Sequence, residues 1–165
     1  MATVVMDTET YRNYFLFAVY NFETNNVNYV ESFNDSKLNS NVIRKVMQTY
    51  TVVSFNGNAY DLPMITYAID GKTNNQLKKL SDKIIKSKSP AWSICRDLNI
   101  QIPNNWDHID LIEVAPGMAS LKIYGGRLNA KRMQDLPIEP DAILTREQAD
   151  VLRKYCLNDL QTTAL

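Results

Sequence analysis

The first fifth of the chain contains three short runs of mainly apolar residues, separated by polar connections. Residues 3–8, 14–21 and 27–33 each have the length and composition of a β-strand. The polar stretch 24–26 is typical of a tight turn. Because consecutive strands joined by such short connections usually pair with each other, the pattern predicts a three-stranded meander.

Helical spacing of apolar residues begins after the meander. A helix capped by Asn39 or Ser40 is predicted there. Its apolar positions are Val42, Ile43, Val46 and Met47. A short strand follows at 51–55. An Asn-Gly turn then leads into a helix at 62–69, which tolerates Pro63 in its first turn.

The middle of the chain continues with helices and one more strand. Asn74 or Asn75 is the predicted N-cap of an amphipathic helix. The inner side of that helix carries Leu77, Leu80, Ile84 and Ile85. A shorter helix is predicted from 90 to 98, and residues 108–114 have the pattern of the last strand.

The C-terminal part is predicted to be helical. Helical segments cover 120–124 and 129–133. Thr145, followed three residues later by Gln148, forms a capping box that starts the final helix. No Gly or Pro ends this helix before Leu165. We therefore expect that either the helix frays there or the natural product continues beyond this chain.

Strands come first along the chain, and helices alternate with strands afterwards. This order predicts an α/β fold with a mixed sheet of about five strands flanked by helices. A chain of 165 residues is long enough for one domain with a sizeable core and too short to expect two. We therefore expect a single domain over 1–165.

Four acidic residues occupy positions from which their carboxylates can converge. Asp7 and Glu9 are two residues apart on the first strand, so both point to the same face. Asp61 lies where the segment after the Asn-Gly turn enters a helix. Asp159 shares one face of the final helix with Tyr155. Clustered carboxylates resist ionisation unless a cation compensates them. The arrangement therefore predicts bound divalent metal and the chemistry of a metal-dependent phosphodiesterase.

These acids belong to three short motifs. The motifs are Asp7-Thr8-Glu9, the segment from Asn56 to Asp61, and the Tyr-x-x-x-Asp sequence formed by Tyr155 and Asp159. In all three the chain resembles the DEDD superfamily of 3′ to 5′ exonucleases, which includes the proofreading domains of DNA polymerases. One branch of that superfamily has a histidine five residues before the last aspartate, where this chain has Lys154. The chain therefore looks like the tyrosine (DEDDy) branch.

The similarity extends over residues 4–165. The stretch from Asp107 to Pro137 looks like the connector of bacteriophage-encoded exonucleases of this type. The resemblance implies a ribonuclease-H-like fold and hydrolysis with two divalent ions, Mg²⁺ or Mn²⁺.

The resemblance also implies a role for each matched residue. Asp7 would bridge both ions, and Glu9 and Asp159 would bind the ion that generates hydroxide. Asp61 would hold the second ion through water. Tyr155 would orient the attacking water, because an ordinary phenol pKa near 10 makes it a poor base at neutral pH.

The implied substrate is a single-stranded or frayed 3′ end, with DNA favoured over RNA. Terminal bases of such a strand stack on aromatic or apolar side chains. The candidate substrate contacts are Thr8, Thr10, Tyr11, Phe55, Asn56, Tyr60 and Met118. Each aromatic or apolar candidate is alternatively an ordinary core or surface residue, and Asn56 and Asn58 are alternatively turn residues. A polymerase is a further candidate partner.

Composition limits the setting in which the protein works. No apolar run approaches the roughly 18 residues of a membrane span, and no signal peptide is recognisable. Cys95 and Cys156 form neither a disulfide framework nor a zinc-type spacing. We therefore expect a soluble protein with no membrane partner in the cytoplasm, which would be the host cytoplasm for a phage-encoded protein.

The formal charge is zero, from 18 basic and 18 acidic residues, which is not typical of a tight nonspecific nucleic-acid binder. One stretch is nevertheless locally basic. It contains Lys72, Lys78, Lys79, Lys83, Lys86 and Lys88. This strip either guides phosphates or is a solvated helix face.

Three residues near the motifs have simpler structural interpretations. A strand-edge hydrogen bond explains His108, the only histidine, better than metal ligation does. Asp110 is expected to support the structure around the cluster, and Cys156 to be a small apolar filler.

Other functions remain as alternatives to a DNA exonuclease. An exoribonuclease that trims RNA would use the same chemistry, and a structure-specific endonuclease can share the same fold. A catalytically silent nucleic-acid-binding module would lack some of the carboxylates, and none of the four is missing.

Overall fold

A computed structural model describes residues 2–117, 119–132 and 134–165. Its sheet has five strands: β1 (Thr3–Tyr11), β2 (Tyr14–Asn21), β3 (Asn26–Phe33), β4 (Thr51–Ser54) and β5 (His108–Asp110). The strand order is β3-β2-β1-β4-β5. β1, β2 and β3 pair antiparallel, whereas β4 is parallel to β1 and to β5. The predicted meander and the predicted mixed sheet of about five strands are confirmed.

Seven helices occur in the described residues. They are α1 (Ser40–Thr49), α2 (Asp61–Ile69), α3 (Asn74–Lys86), α4 (Ala91–Asp97), α5 (Leu111–Val114), α6 (Leu121–Arg127) and α7 (Arg146–Thr163). Within the described part of the chain, no helix combines the length and apolar character needed to cross a membrane.

The sheet carries apolar side chains on both faces, because successive residues of a strand point to opposite sides. Met6 and Phe17 belong to the core on the α1 to α4 side, whereas Val5 and Leu16 belong to the core under α7. β2 lies between β1 and β3, and all but its last residue are buried. The α/β architecture with helices on both faces of the sheet is therefore confirmed.

Two predicted elements are wrong in part. The predicted strand at 108–114 ends at Asp110, because the Asp110 carboxylate accepts a hydrogen bond from the Ile112 N–H and caps α5. The predicted helix at 129–133 is absent from residues 129–132, and Met133 lies outside the described residues. Asn129 has a left-handed backbone (φ 58°), which ends helical structure just after α6.

The N-terminal cap of α3 also differs from its prediction. The N-cap is Thr73, which forms a capping box with Gln76, whereas Asn74 is already inside the helix. Asn74 instead accepts a hydrogen bond from the Asp35 N–H and donates through its own N–H to the Asp35 carboxylate. Ile85, predicted to face inward, is 67% exposed.

Charged contacts fasten α7 to the sheet. Glu31 of β3 accepts hydrogen bonds from Arg146, at 2.8 Å, and is within 2.6 Å of an Arg153 guanidinium nitrogen. The Tyr29 hydroxyl donates to the Arg153 carbonyl at 3.3 Å. These contacts fix the helix that carries Tyr155 and Asp159 against the face of β1 and β2.

Candidate active site

The candidate site lies at the carboxyl end of β1. This strand pairs with the shorter β4 only through Thr3, Val4 and Val5, while its remaining residues pair with β2 alone. One edge of β1 from Asp7 onward is therefore free of strand pairing. Ligands of open α/β sheets bind at the carboxyl ends of parallel strands, and β1 and β4 both end here.

Asp7 and Glu9 lie on the same side of β1, as their spacing predicts. Both are half-buried, and both are flanked by buried residues of the same strand. Carboxylate oxygens of Asp7 and Glu9 lie within 4.8 Å of each other. β1 therefore supplies two acids that point into a common region.

Asp61 reaches the site from a tight loop between β4 and α2. Asn56 has a left-handed backbone (φ 64°), which Asn tolerates better than most residues. A Cβ at Gly57 would lie 1.9 Å from the Ser54 hydroxyl oxygen, so only glycine fits there. This loop sets the direction in which α2 begins, and Asp61 is the first residue of that helix.

A buried carboxylate from β5 holds this loop in place. Asp110 accepts hydrogen bonds from the backbone N–H groups of Asn56, at 2.7 Å, and Asn58, at 2.8 Å. The Asn58 side chain also donates to Glu113 at 2.7 Å. Asp110 therefore supports the loop, and its charge, in addition to burial, raises the pKa of Asp61, so it acts electrostatically on the edge of the acidic cluster.

Thr8 of β1 fixes the orientation of the Asp61 carboxylate. The Thr8 hydroxyl donates a hydrogen bond to Asp61 at 2.5 Å, and both side chains are buried. Thr8 lies on the opposite side of β1 from Asp7 and Glu9, because side chains alternate along a strand. The acids from β1 and α2 therefore approach the same strand end from its two faces.

α7 brings the fourth acid and the tyrosine. Asp159 and Tyr155 are one turn apart on this helix. Burial, together with the nearby charges of Asp159 and Glu9, raises the pKa of the Tyr155 phenol. The Cys156 thiol donates to the Asp7 carboxylate at 3.6 Å. This last contact joins the third motif directly to the first.

The four carboxylates form one electrostatic cluster. Burial raises the pKa of Asp7 well above its ordinary value, and the charges of Asp61, Glu9 and Asp159 raise it further. Burial, Asp159 and Asp61 raise the pKa of Glu9 to about 8. Burial also raises the pKa of Asp159.

Asp61 shows the same effect, although its surroundings oppose it in part. Burial raises the pKa of Asp61 to about 7, while the hydrogen bond from Thr8 acts in the opposite direction. Part of the negative charge of the cluster is therefore uncompensated by the protein, and the protein alone favours the protonated acids.

The donor set fits divalent cations. Across residues 2–117, 119–132 and 134–165, no lysine or arginine forms an ion pair with any of the four carboxylates. Ligand atoms of Asp7, Glu9 and Cys156 all lie within 4.8 Å of one another. Carboxylate oxygens are the preferred ligands of Mg²⁺ and Mn²⁺, and a cation would supply the positive charge that the cluster lacks.

Two clefts open beside the cluster. One, of about 310 Å³, is lined by Tyr155 and Asp159 together with residues of α6. The other, of about 340 Å³, is lined by Glu9 and Thr10 together with residues of α3. Leu136 lines both clefts, so the segment between α6 and α7 lies between two approaches to the same acids.

The predicted substrate contacts occupy different environments. Thr8 is engaged with Asp61, and Thr10 is buried in the wall of the α3 cleft. The Tyr60 hydroxyl is hydrogen-bonded to Ser81 at 2.8 Å. Phe55 is partly exposed, with its ring centroid 5.8 Å from that of Tyr124, and Asn56 is exposed.

Of the two remaining candidates for substrate contact, the structure describes Tyr11 only. Tyr11 is buried, donates its hydroxyl to the Ile138 carbonyl at 3.0 Å and lines the cleft beside α3 with only 2% of its surface exposed. Met118 lies outside the described residues.

Cys156 was expected to be a small apolar filler, and it is fully buried in the core under α7. Its thiol also contacts Asp7, which was not predicted. No local pattern indicates this contact, because the two residues are distant in sequence. His108, in contrast, is hydrogen-bonded to Ser54 at 2.8 Å across β4 and β5, as expected for a residue at a strand edge.

Comparison with known proteins supports this structural class. A sequence model described as the RNase H superfamily matches residues 4–133, well over half of the chain. The chain belongs to the RNase H superfamily. No curated protein and no solved structure matches the chain.

The family indicates a nuclease-type hydrolase that acts on nucleic acid, a class that usually uses divalent metal ions. The matched region includes Asp7, Glu9 and Asp61 but ends before α7. The contribution of Tyr155 and Asp159 therefore depends on the geometry and on the motif resemblance.

Proposed function

We propose that this protein is a metal-dependent 3′ to 5′ exonuclease that hydrolyses phosphodiester bonds at 3′ ends of DNA with two metal ions. The observation that carries the proposal is the meeting of four acids from β1, α2 and α7 in one cluster, with a tyrosine one helical turn from the last of them and lining the same cleft. An RNase H fold with this tyrosine fits the tyrosine branch of the DEDD exonucleases.

The residues have the following roles in this proposal. Asp7 is central in the cluster, since all three other acids act on it, and it would hold both ions. Glu9 and Asp159 would hold the ion on the water side, and Asp61 would hold the other. When bound, two divalent ions would supply a hydroxide at neutral pH and positive charge for the attacking and leaving oxygens.

Tyr155 positions the attacking water rather than deprotonating it. Burial, Asp159 and Glu9 raise the pKa of the Tyr155 phenol above its ordinary value, so the hydroxyl stays protonated at neutral pH. A protonated phenol can donate to one oxygen and accept from a water. Its interaction with Asp159 holds it at the edge of the cleft that reaches this acid.

The proposed substrate is a single-stranded or frayed 3′ end. The clefts on either side of the acids are open, so an unpaired strand can lie across the cluster. By resemblance, the substrate is DNA, a polymerase works alongside, and the protein is phage-encoded and acts in the host cytoplasm. The two cysteines are free and buried, as in proteins of a reducing compartment.

The test uses 5′-labelled single-stranded DNA and RNA of equal sequence, incubated with Mg²⁺, Mn²⁺ or chelator. We expect products that shorten stepwise from the unlabelled 3′ end, with DNA as the better substrate and no cleavage in chelator. The control variant is Asp7→Asn, which keeps the shape of the side chain and removes its charge. Internal cuts, shortening from the 5′ end, or cleavage in chelator would contradict the proposal.

A further inference from the structure

Lys78 on α3 is buried, with only 5% of its surface exposed. The lysine strip to which it belongs was predicted to guide phosphates or to be solvated, and its neighbours Lys79 and Lys83 are exposed. Burial of an ammonium group is costly unless the charge is paired. Solvation therefore explains the exposed lysines of the strip but not the buried Lys78.

Two acids pair with Lys78, and they are held differently. Asp82 is one turn further along α3, with its carboxylate 2.6 Å from the Lys78 ammonium nitrogen. Asp141 is 3.2 Å away, in the irregular segment before α7, and its side chain is 61% exposed. Asp82 is on the same helix as Lys78 and therefore stays beside it. Asp141 is exposed and can separate from Lys78 into water with little rearrangement.

The Lys78 side chain lies in the wall of the α3 cleft. This cleft of about 340 Å³ also exposes Glu9, Ser81 and Asp141 on its surface. An ammonium group thus lies in the same cleft as one of the four clustered acids. A strand whose end is held at those acids and that continues into this cleft carries a phosphate past Lys78.

We propose that Lys78 binds a backbone phosphate of the nucleic-acid strand and that Asp141 occupies the place of this phosphate when no strand is bound. The inference rests on the proposed nuclease function, to which it adds a substrate-binding residue. A lysine ammonium group binds phosphate as a point charge. One anionic oxygen replaces another, so the charge balance around Lys78 is preserved while Asp82 stays in place.

The first test measures strand binding without hydrolysis. The probe is a single-stranded oligonucleotide with phosphorothioate linkages and a 5′ fluorescein, whose anisotropy is followed in Mg²⁺ at several salt concentrations. Lys78→Met keeps the buried stem of the side chain and removes the charge. We expect about tenfold weaker binding. We also expect the slope of log affinity against log salt concentration to be smaller in magnitude by about 0.7, the value for one lost phosphate contact on a single strand.

Lys79→Met is the matched control, because Lys79 adjoins Lys78 on α3 but does not line the cleft. We expect its salt slope to equal that of the wild type. The same measurements with an RNA oligonucleotide should show the same loss for Lys78→Met, because the phosphate is common to both polymers. A loss confined to one sugar type, or an unchanged slope in Lys78→Met, would overturn the inference.

The second test examines Asp141. Asp141→Asn weakens the competitor for Lys78, so the oligonucleotide should bind more tightly than to the wild type, by about threefold. Asp150→Asn is the control, since Asp150 is similarly exposed and pairs with Arg146 away from the cleft. In the Lys78→Met background, Asp141→Asn should have no effect on binding. An equal gain from both single variants would show a general charge effect and overturn the proposed exchange.

Failure of this inference and failure of the proposed function give different results. If the wild type trims 3′ ends but Lys78→Met binds with an unchanged salt slope, only the inference is wrong. If the wild type never hydrolyses a strand but Lys78→Met shows the predicted loss, the nuclease proposal is wrong and the phosphate site stands.

Discussion

Tyr155 is the side chain whose role the structure restricts most clearly. Burial and the nearby charges of Asp159 and Glu9 raise its pKa, which keeps the phenol protonated at neutral pH and fits the proposed role of orienting water rather than accepting its proton. We predict that Tyr155→Phe lowers kcat by about 10- to 100-fold, the scale of a misplaced reacting group, and changes KM by less than about twofold. Steady-state kinetics on a labelled single strand measures both values.

The matched control for Tyr155 is Tyr124→Phe. The Tyr124 hydroxyl lies on α6 and donates to the Pro116 carbonyl, and Tyr124 does not line the cleft that contains Tyr155 and Asp159. The loss of this phenol should leave kcat within about twofold of the wild type. A rise in KM with an unchanged kcat in Tyr155→Phe would assign Tyr155 to strand binding instead.

Glu9 and Asp61 make the metal-free protein sensitive to pH. The pKa of Glu9 rises on folding to about 8, and that of Asp61 to about 7. At pH values between the ordinary pKa values of these groups and the raised ones, the folded state therefore binds more protons than the unfolded chain. Stability contributed by the protonated acids is therefore present at low pH and is lost as pH rises to about 8. Urea unfolding in chelator should show a smaller free energy of unfolding at pH 8 than at pH 5.

Glu9→Gln provides the control for this pH dependence, because the amide cannot ionise. We expect the variant to lose less stability between pH 5 and pH 8 than the wild type does. Mn²⁺ should stabilise the wild type more at pH 8 than at pH 5, since metal binding requires ionised carboxylates. Equal pH dependence of wild type and Glu9→Gln in chelator would contradict the assignment.

At the scale of elements, the site depends on the loop that carries Asp61 into α2. Asp110 of β5 accepts two backbone hydrogen bonds from this loop and a third from α5, and it is buried. Asp110→Ala would leave these three backbone N–H groups without their partner. We predict a loss of about 3 kcal/mol in the free energy of unfolding, measured in urea, and weaker Mn²⁺ binding.

Asp107→Ala is the control for Asp110. Asp107 is exposed and accepts one hydrogen bond, from the Thr51 hydroxyl, just before β5. Its removal should change stability by no more than about 0.5 kcal/mol and leave metal binding intact. A similar loss of stability in both variants would mean that Asp110 has no special role in holding the loop.

Periodicity and capping signals were sufficient to predict most elements. Alternation gave the meander, and the capping box at Thr145 gave the start of α7. The predicted strand at 108–114 was too long, because Ile109, Leu111 and Val114 are residues typical of strands. The capping action of Asp110 outweighs this composition, and Val114 is exposed.

Long-range contacts explain what sequence patterns missed in the site. The spacing of Asp7 and Glu9 and of Tyr155 and Asp159 is local, so the common direction within each pair was predictable. The support of Asp110 for a loop more than fifty residues earlier is a tertiary contact without a local pattern. The ion pair between Lys78 and Asp141 is likewise a long-range contact that no local pattern indicates.

For the whole molecule, the topology explains why acids from distant parts of the chain meet. β4 is shorter than β1 and leaves the carboxyl end of β1 without a neighbour on that side. α2 begins at this opening on one face of the sheet, and α7 crosses β1 on the other face. The cluster is thus closed from both faces, while the clefts beside α3 and α6 keep it accessible.

The proposed activity requires a metal centre that the four acids share. Isothermal titration calorimetry of the metal-free protein with Mn²⁺ at pH 8 counts the bound ions directly. We predict two ions per chain in the wild type and a loss of both in Asp7→Asn, because Asp7 interacts with all the other acids of the cluster. A wild type that binds no Mn²⁺, or an Asp7→Asn variant that still binds two ions, would contradict the central claim.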